Sequence, residues 1–348
     1  MSSFLLPYQL KNRNVFRIAH GNRTETSTLL IQIEKEGFTG LGEAAHVPYY
    51  GISVEQSVRQ IQEAWKELYP LVGEGFEPFW EKANALMNGN HFALCMLDLA
   101  HHDWQSKKNG KSLGENLGVH LSKTPISSYT IGIDSAKAMA EVMEGSDFPV
   151  FKIKLGSDDD ESLIKALREK SGKPFRIDVN GGWSLEYAIK MLPVLREIGG
   201  VEFLEQPLAK GVIKENGQIK KVTELPLFAD ETCMFKEDVR KVAPYFDGIN
   251  IKLSKCGGIT PALEMIQEAR ELGLQIMLGC MTESSAGISA MAHIAALVDF
   301  VDMDGANMIT NDPVDGVEIK AGVAEFKKRN GHGGLIKDEF LKEGIITL

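Results

Sequence analysis

Six charged residues between positions 152 and 252 stand at the ends of short apolar segments. They are Lys152, Lys154, Asp178, Glu205, Asp230 and Lys252. Three acids that lie close together repel each other and resist ionisation, unless a cation is bound between them. Mg²⁺ suits such a group because it favours a few carboxylates, with water or substrate oxygens completing an octahedron. A metal flanked by lysines is suited to removing a proton next to a carboxylate group.

Eight strand-like segments position these residues. They begin near Ile126, Val150, Phe175, Val201, Leu225, Gly248, Leu274 and Phe300, at spacings of 23 to 26 residues. Segments with helical apolar spacing lie between them, for example at 158–171, 184–198, 261–272 and 284–298. This regular alternation predicts a closed parallel barrel, and in such barrels the active site lies at the carboxyl ends of the strands. The acids and lysines occupy those ends, so we expect them to converge.

The first 122 residues lack this rhythm and predict a separate α+β domain. Two strands joined by a turn are expected at 26–33 and 38–42, and helices at 54–68, 79–87 and 92–107. Polar, glycine-containing loops at 19–25 and 45–52 are expected to cover the mouth of a barrel formed by residues 123–315. Residues 316–348 are too few for another domain and are expected to complete the first one.

The composition is that of an ordinary globular chain, with 348 residues, 43% hydrophobic and 25% charged. A net charge of −10 argues against nucleic acid as a partner, because phosphate binding needs basic patches. No apolar segment reaches transmembrane length, and residues 1–14 lack the pattern of a signal peptide. The four cysteines have neither paired nor zinc-type spacing, so a reduced cytoplasmic protein is expected.

Five motifs taken together resemble the enolase superfamily, in its muconate-lactonizing-enzyme-like branch. They are Lys152-Ile153-Lys154, Asp178-Val179-Asn180-Gly181-Gly182-Trp183, Glu205-Gln206-Pro207, Asp230-Glu231 and Asn250-Ile251-Lys252. A lone K-x-K would mean nothing, but this order and spacing are specific. The resemblance covers nearly the whole chain and implies an α/β fold: a modified (β/α)8 TIM barrel of the (β/α)7β type with an N-terminal α+β capping domain.

The resemblance implies that Asp178, Glu205 and Asp230 are the ligands of one Mg²⁺ per subunit. Lys152 matches a lysine that helps to stabilise enolate oxygens. The α-proton of a carboxylate is very weakly acidic, so its removal requires stabilisation of the negative charge that develops on the carboxylate oxygens. Mg²⁺ and a nearby ammonium group stabilise that charge.

Lys154 and Lys252 match an acid/base pair on opposite faces of the substrate. A lysine base must be neutral, and a neighbouring cation lowers its pKa. Two opposed bases favour 1,1-proton transfer, which is racemisation or epimerisation, although relatives with the same pair catalyse β-elimination or cycloisomerisation. An N-acylamino acid racemase, an o-succinylbenzoate synthase and a catalytically silent ligand-binding barrel are the alternatives.

The last strand-like segment places Asp302 and Asp304 on one face at its carboxyl end. In the dipeptide epimerases of this branch, which the chain most resembles, a D-x-D at this place binds the N-terminal ammonium of the substrate. The resemblance therefore implies an isomerase that inverts the α-carbon of the C-terminal residue of a dipeptide. Capping of the next turn is the alternative for the two acids.

Further residues are expected to surround the substrate. Expected substrate contacts are Thr130, Met281, Thr282 and Arg23, and expected supporting residues are Asn180, Glu231 and Glu283. The best-known dipeptide epimerases act on Ala-Glu and carry an arginine in the first capping loop, where this chain has Gly21. Either Arg23 replaces that arginine or the second residue of the substrate is small or apolar. We also expect a homo-oligomer.

Overall fold

The structure, a computed structural model, describes residues 2–19, 21–342 and 344–348. The strands are β1 (Phe4–Ile18), β2 (Gly21–Lys35), β3 (Phe38–His46), β4 (Tyr129–Ile131), β5 (Phe151–Lys154), β6 (Phe175–Asp178), β7 (Val201–Glu205), β8 (Leu227–Ala229), β9 (Gly248–Ile251), β10 (Gln275–Gly279), β11 (Phe300–Asp302), β12 (Val314–Asp315), β13 (Glu318–Lys320), β14 (Val323–Glu325), β15 (Leu335–Ile336) and β16 (Ile346–Thr347). The α-helices are α1 (Val54–Leu68), α2 (Phe76–Met87), α3 (His91–Lys108), α4 (Leu113–Asn116), α5 (Ala136–Glu144), α6 (Asp160–Lys170), α7 (Leu185–Ile198), α8 (Ile213–Lys220), α9 (Lys236–Val242), α10 (Leu253–Cys256), α11 (Ile259–Glu271) and α12 (Ser285–Ala292).

The N-terminal part of the chain forms an antiparallel sheet in the order β16-β1-β2-β3, with α1, α2 and α3 packed on one face. Alternate residues of β2, namely Leu29, Ile31 and Ile33, are fully buried against these helices, as the period of a strand requires. β3 lies so close to α3 that a Cβ added at Gly42 would be 2.0 Å from the carbonyl oxygen of Met96. Glycine at this position therefore allows the sheet and the helix to touch.

The strands β4 to β11 form a parallel eight-stranded sheet in chain order. A parallel bridge between Ser127 and Val301 joins the first strand of this sheet to the last, which closes the barrel. A helical segment follows each of the first seven strands, whereas β11 is followed by a 3₁₀ turn at Gly305–Met308. The described chain thus confirms the predicted α/β fold, a modified TIM barrel of the (β/α)7β type.

Interior side chains of the barrel form an apolar layer with a charged layer above it. The rings of Phe203 and Phe228 stack with 4.3 Å between their centroids, and Phe300 packs against both. Glu205 lies two residues after Phe203, and Asp230 lies two residues after Phe228. Because side chains alternate along a strand, both acids face the same interior as these rings. The aromatic layer therefore closes the barrel below the acids and leaves them open only toward the carboxyl ends of the strands.

The prediction of a loop at 19–25 is wrong for most of that segment, because β2 begins at Gly21 and continues the hairpin with β1. His20 lies outside the described residues. The strand register pairs Phe16 with Arg23 and Ile18 with Gly21, so the backbone hydrogen bonds of the hairpin extend nearly to its tip. The amide of Ile133 donates to the carbonyl of Arg17 at 2.9 Å, and this bond holds the hairpin against the barrel mouth.

The end of the chain returns to the N-terminal sheet, where β16 pairs with β1. The limits of the two domains at residues 122 and 316 remain a prediction. The second expected loop, at 45–52, begins with the last residues of β3 and contains a 3₁₀ turn at Pro48–Tyr50. Among the described residues, we find no helix with both the length and the apolarity needed to cross a membrane.

Candidate active site

Three carboxylates converge at the carboxyl ends of adjacent strands. Asp178, Glu205 and Asp230 are fully buried, and one oxygen of each lies within 4.8 Å of the others. Asp178 and Glu205 are paired in the strand register, so the geometry of the parallel sheet itself brings them together. The structure therefore assembles the acids that were expected from their spacing in the sequence.

Each of these carboxylates has one oxygen held by a neighbouring donor. Asp178 Oδ1 accepts from the amide of Asn180 at 3.0 Å, Glu205 Oε1 accepts from Asn250 Nδ2 at 2.7 Å, and Asp230 Oδ1 accepts from Lys255 Nζ. Lys255 is fully buried and also donates to the backbone carbonyl of Asp230. These contacts fix the orientation of the acids and turn the second oxygen of each toward the common centre, where lysine side chains contact them.

The donor set fits a hard divalent cation. Glu205 Oε2 is buried and accepts no hydrogen bond of good geometry from the described residues, although Lys152 Nζ forms an ion pair with it at 2.9 Å. Burial, followed by the charge of Asp178, raises the pKa of Glu205 to about 8. A bound cation would remove the cost of ionising this carboxyl group. A few carboxylates, with water or substrate oxygens completing the octahedron, are the type of site that Mg²⁺ prefers.

Two lysines contact the acids from opposite walls of the barrel. Lys154 Nζ donates to Asp178 Oδ2 at 2.6 Å, and Lys252 Nζ donates to Asp230 Oδ2 at 2.7 Å. Lys154 ends β5 and Lys252 follows β9, four places away in the sheet of eight strands. The two amines therefore approach the barrel mouth from opposite sides. Burial favours the neutral amine of Lys252, but Asp230 outweighs burial and raises its pKa.

A third lysine connects the acids to the last strand. Lys152 is 1% exposed, and its Nζ lies 3.0 Å from Asp178, 2.9 Å from Glu205 and 3.0 Å from Asp302. Burial alone would lower the pKa of Lys152. The negative charges of the surrounding acids, chiefly Asp178 and Asp302, outweigh burial and raise this pKa well above its ordinary value. Lys152 is therefore held as a cation at the centre of the site.

Asp302 and Asp304 both face the cavity at the barrel mouth. Asp302 Oδ1 accepts from Ser128 Oγ at 2.9 Å, and Asp304 Oδ2 accepts from the amide of Thr130 at 2.6 Å. The following 3₁₀ turn receives no side-chain cap from Asp304, so the capping alternative does not describe this carboxylate. Burial and then Asp302 raise the pKa of Asp304 to about 8. Among the described residues, no lysine, arginine or histidine forms an ion pair with Asp304.

The three lysines, Asp302 and Asp304 line a cavity of about 300 Å³ between the barrel and the N-terminal hairpin. All the expected substrate contacts line it, namely Thr130, Met281, Thr282 and Arg23. Asn180 and Glu231 also line it, and Asn180 Nδ2 donates to Glu231 Oε1 at 3.1 Å. Glu283 is buried behind the lining, so the structure places it in a supporting position without access to the cavity.

The hairpin supplies an apolar wall that the sequence did not indicate. Because Phe16 pairs with Arg23 and Ile18 with Gly21, these four side-chain positions share one face, and all four line the cavity. The guanidinium of Arg23 has no carboxylate partner among the described residues, and burial lowers its pKa. The signal in the sequence is the alternation Phe16-Arg17-Ile18, which is too short to predict a strand by itself.

Tyr49 and Tyr50, in the loop after β3, complete the wall beside Lys252. Burial, and then the negative charge of Asp230, raise the pKa of Tyr50 far above its ordinary value, so its hydroxyl is neutral. Sequence reasoning identified this loop as a cover but missed the two aromatic residues. A pair of tyrosines in a loop that is otherwise polar is the signal that could have found them.

The fold and the site together define the class of this protein as an enolase-type barrel with a capping domain. The family described as enolase C-terminal domain-like matches residues 134–340, and the N-terminal domain of the mandelate racemase/muconate lactonizing enzyme family matches residues 4–118. The chain therefore belongs to the mandelate racemase/muconate lactonizing enzyme family of the enolase superfamily.

Individual relatives are similar over nearly their full length. An L-Ala-D/L-amino acid epimerase of Flavobacterium johnsoniae is 40% identical over 96% of this chain and 99% of its own. An L-Ala-D/L-Glu epimerase of Bacteroides thetaiotaomicron is 36% identical over 96% of this chain and 87% of its own. The crystal structure of a dipeptide epimerase of Cytophaga hutchinsonii with Mg and D-Ala-L-Val superposes with a TM-score of 0.94, at 26% identity, over 100% of this chain and 98% of that one.

Proposed function

We propose that the protein is a Mg²⁺-dependent dipeptide epimerase, an isomerase that inverts the α-carbon of the second residue of a dipeptide. The observation that carries this proposal is the position of Lys154 and Lys252 on opposite walls, beside converging acids and within one cavity that also contains Asp302 and Asp304. The epimerase relatives, which are similar over nearly the whole chain, support the same activity.

Asp178, Glu205 and Asp230 are the residues that would hold the metal. When bound there, Mg²⁺ stabilises the negative charge that develops on a substrate carboxylate during proton removal. Lys152 contributes to the same task from the protein side, because its buried ammonium lies within 3.0 Å of both Asp178 and Asp302. Because Lys152 also lines the cavity, its positive charge acts on a substrate carboxylate that binds there.

The proposed proton transfer uses the two remaining lysines in turn. With the carboxylate end of the dipeptide beside Lys152, the α-carbon lies between Lys154 and Lys252. One lysine removes the α-proton as a neutral amine, and the other returns a proton to the opposite face as an ammonium. Because the two faces give opposite configurations, this sequence inverts the centre. The reverse reaction exchanges the roles of the lysines.

Asp302 and Asp304 are proposed to bind the N-terminal ammonium of the dipeptide. Asp302 is already paired with Lys152, so Asp304 is the acid that most needs a cation. A charge-assisted contact shielded from water is strong and specific. An N-acylated amino acid offers no ammonium here and would leave Asp304 without a cationic partner, which disfavours the N-acylamino acid racemase alternative.

We propose that the second residue of the substrate is small or aliphatic. Phe16 and Ile18 form an apolar wall, and Gly21 cannot supply a charge. Arg23 lies at the same wall and is the cation that would have to meet a glutamate side chain. We also propose a cytoplasmic homo-oligomer; the four unpaired cysteines of the described chain are in keeping with a reducing compartment.

The test is a panel of L-Ala-L-X dipeptides incubated in D₂O with the Mg²⁺-loaded enzyme. Mass spectrometry should detect deuterium in the second residue, and chiral chromatography should detect the L,D epimer. Succinylated amino acids incubated in parallel should stay unlabelled. Labelling of the succinylated compounds in preference to the dipeptides would overturn the proposal.

A further inference from the structure

A buried glutamate of the N-terminal sheet contacts the start of α12, a helix of the barrel. Glu43 lies on β3 and is 1% exposed. Its Oε1 accepts from Thr28 Oγ1 at 2.8 Å and from the amide of Ser284 at 3.0 Å. Its Oε2 accepts from the amide of Gly287 at 3.0 Å and from the hydroxyl of Ser284. Both carboxylate oxygens are thus bound to backbone amides at the start of α12.

These contacts fix the loop that leads from β10 to α12. Negative charge at the N-terminus of a helix is favourable because the first amides have no partner within the helix. Met281 and Thr282, which precede this helix, line the cavity. On its other side the loop is tight against Gly305, where an added Cβ would lie 2.4 Å from the carbonyl of Met281. The loop is therefore held between Glu43 and Gly305.

We propose that Glu43 is a positioning residue that sets the shape of the subsite for the second residue of the substrate, by fixing Met281 and Thr282 from the other domain. This inference rests on the proposed dipeptide epimerase function. Glu43 does not line the cavity, so it acts through the loop and not by contact with the substrate.

The geometry requires a carboxylate at this position. Each oxygen accepts from a backbone amide, and an amide cannot rotate away from its partner. In Glu43→Gln, an NH₂ group replaces one of the two oxygens. This NH₂ group would face the backbone N–H of either Ser284 or Gly287, and two donors cannot form a hydrogen bond. The substitution keeps the size of the side chain and removes one of the two fixed contacts.

The matched control is Asp103→Asn. Asp103 is a fully buried acid that accepts from the amide of Leu41 at 2.8 Å, two residues before Glu43 on the same strand. It also accepts from the amide of His332 at 2.8 Å, and it does not line the cavity. Its loss should therefore affect the stability of the N-terminal domain without moving the loop. Ser284→Ala is a second variant that leaves both amide contacts of Glu43 in place. It removes the hydroxyl contact to Glu43 and the N-cap hydrogen bond that Ser284 Oγ accepts from the amide of Ala286 at 3.1 Å.

The experiment combines hydrogen exchange with selectivity. In Glu43→Gln, amides of 281–288 should exchange about tenfold faster than in the wild type, because a buried hydrogen bond is lost. The ratio of kcat/KM between L-Ala-L-Ala and L-Ala-L-Phe should change by about tenfold, mainly through KM. Ser284→Ala should show smaller changes in both hydrogen exchange and selectivity. Asp103→Asn should change neither the exchange at 281–288 nor the selectivity.

Unchanged exchange at 281–288 in a folded Glu43→Gln variant, or unchanged selectivity beside faster exchange, overturns this inference. A change in selectivity of the same size in Asp103→Asn also overturns it. A wild-type enzyme that epimerises no dipeptide instead overturns the proposed function, and the inference about selectivity with it.

Discussion

Asp302 Oδ2 lies 3.0 Å from Lys152 Nζ, so the acid proposed for the amino end of the substrate and the lysine proposed for its carboxylate end form one ion pair. Because Lys152 also contacts Glu205 at 2.9 Å, a single buried ammonium connects the metal-binding acids to the last strand. The site is therefore charged at both ends, and it is matched to a short molecule with an ammonium at one end and a carboxylate at the other.

The first prediction concerns the metal. Asn250 Nδ2 holds Glu205 Oε1, so Asn250→Ala should release this carboxylate and lower Mg²⁺ affinity by about 10- to 100-fold in calorimetric titrations. Asn216→Ala, at a buried asparagine of α8, serves as a control for loss of a buried amide. Treatment with EDTA should abolish epimerisation and added Mg²⁺ should restore it. Full activity after EDTA would contradict the assignment of a metal site.

The second prediction concerns a proton at Asp304. Its pKa is raised to about 8, so this carboxyl group carries a proton at pH 7 in the free enzyme. A bound ammonium favours the ionised form and lowers that pKa, so binding should release up to about one proton at pH 7. L-Ala-2-aminoisobutyrate, whose second residue has no α-proton and cannot be epimerised, allows the release to be measured by calorimetry in buffers of different ionisation enthalpy.

Asp304→Asn should abolish this proton release. An N-acetylated dipeptide should bind without it, and more weakly by about 2–5 kcal/mol, because it cannot form the charge-assisted contact with Asp304. Equal proton release for free and acetylated dipeptides would show that another group titrates.

The third prediction concerns the second residue of the dipeptide. The wall formed by Phe16 and Ile18 should favour aliphatic side chains, so kcat/KM for L-Ala-L-Ala and L-Ala-L-Val should match or exceed that for L-Ala-L-Glu. The differences should amount to about 1–3 kcal/mol, which is the scale of a methylene or two in an apolar pocket. A strong preference for L-Ala-L-Glu that disappears in Arg23→Ala would show that Arg23 binds the acidic side chain.

The acids and lysines could be predicted from sequence because one geometric rule places them. Each follows a short apolar strand at a nearly constant spacing, and the carboxyl ends of parallel strands meet at one edge of the barrel. Lys152 and Lys154 are two residues apart and therefore share a face. The same rule placed Asp302 at the mouth. The structure locates the three lysines and Asp302 around one cavity, and the three metal-binding acids are in contact with those lysines.

The hairpin could not be predicted in the same way. β1 contains proline and many polar residues, and it is stabilised by pairing with β2 and with β16 at the far end of the chain. Such pairing leaves no local period. Phe16 and Ile18 were therefore missed, because they precede both the predicted loop at 19–25 and the predicted strand at 26–33.

Buried acids that join the two domains were also beyond sequence reasoning. Glu43 lies in an apolar strand, and its partners Ser284 and Gly287 come about 240 residues later. No spacing rule connects positions so far apart. Glu283 was expected to support the site from the loop after β10, and its side chain is buried and absent from the cavity lining.

The most direct test of the two-base mechanism follows epimerisation of an L-Ala-L-X dipeptide in D₂O with the wild type, Lys154→Ala and Lys252→Ala. The wild type should form the L,D epimer with deuterium at the α-carbon of the second residue. Each variant should lose epimerisation, because inversion needs a donor and an acceptor, and should retain α-proton exchange for at most one stereoisomer. Normal epimerisation by either variant, or an epimer formed by the wild type without deuterium, would contradict the mechanism.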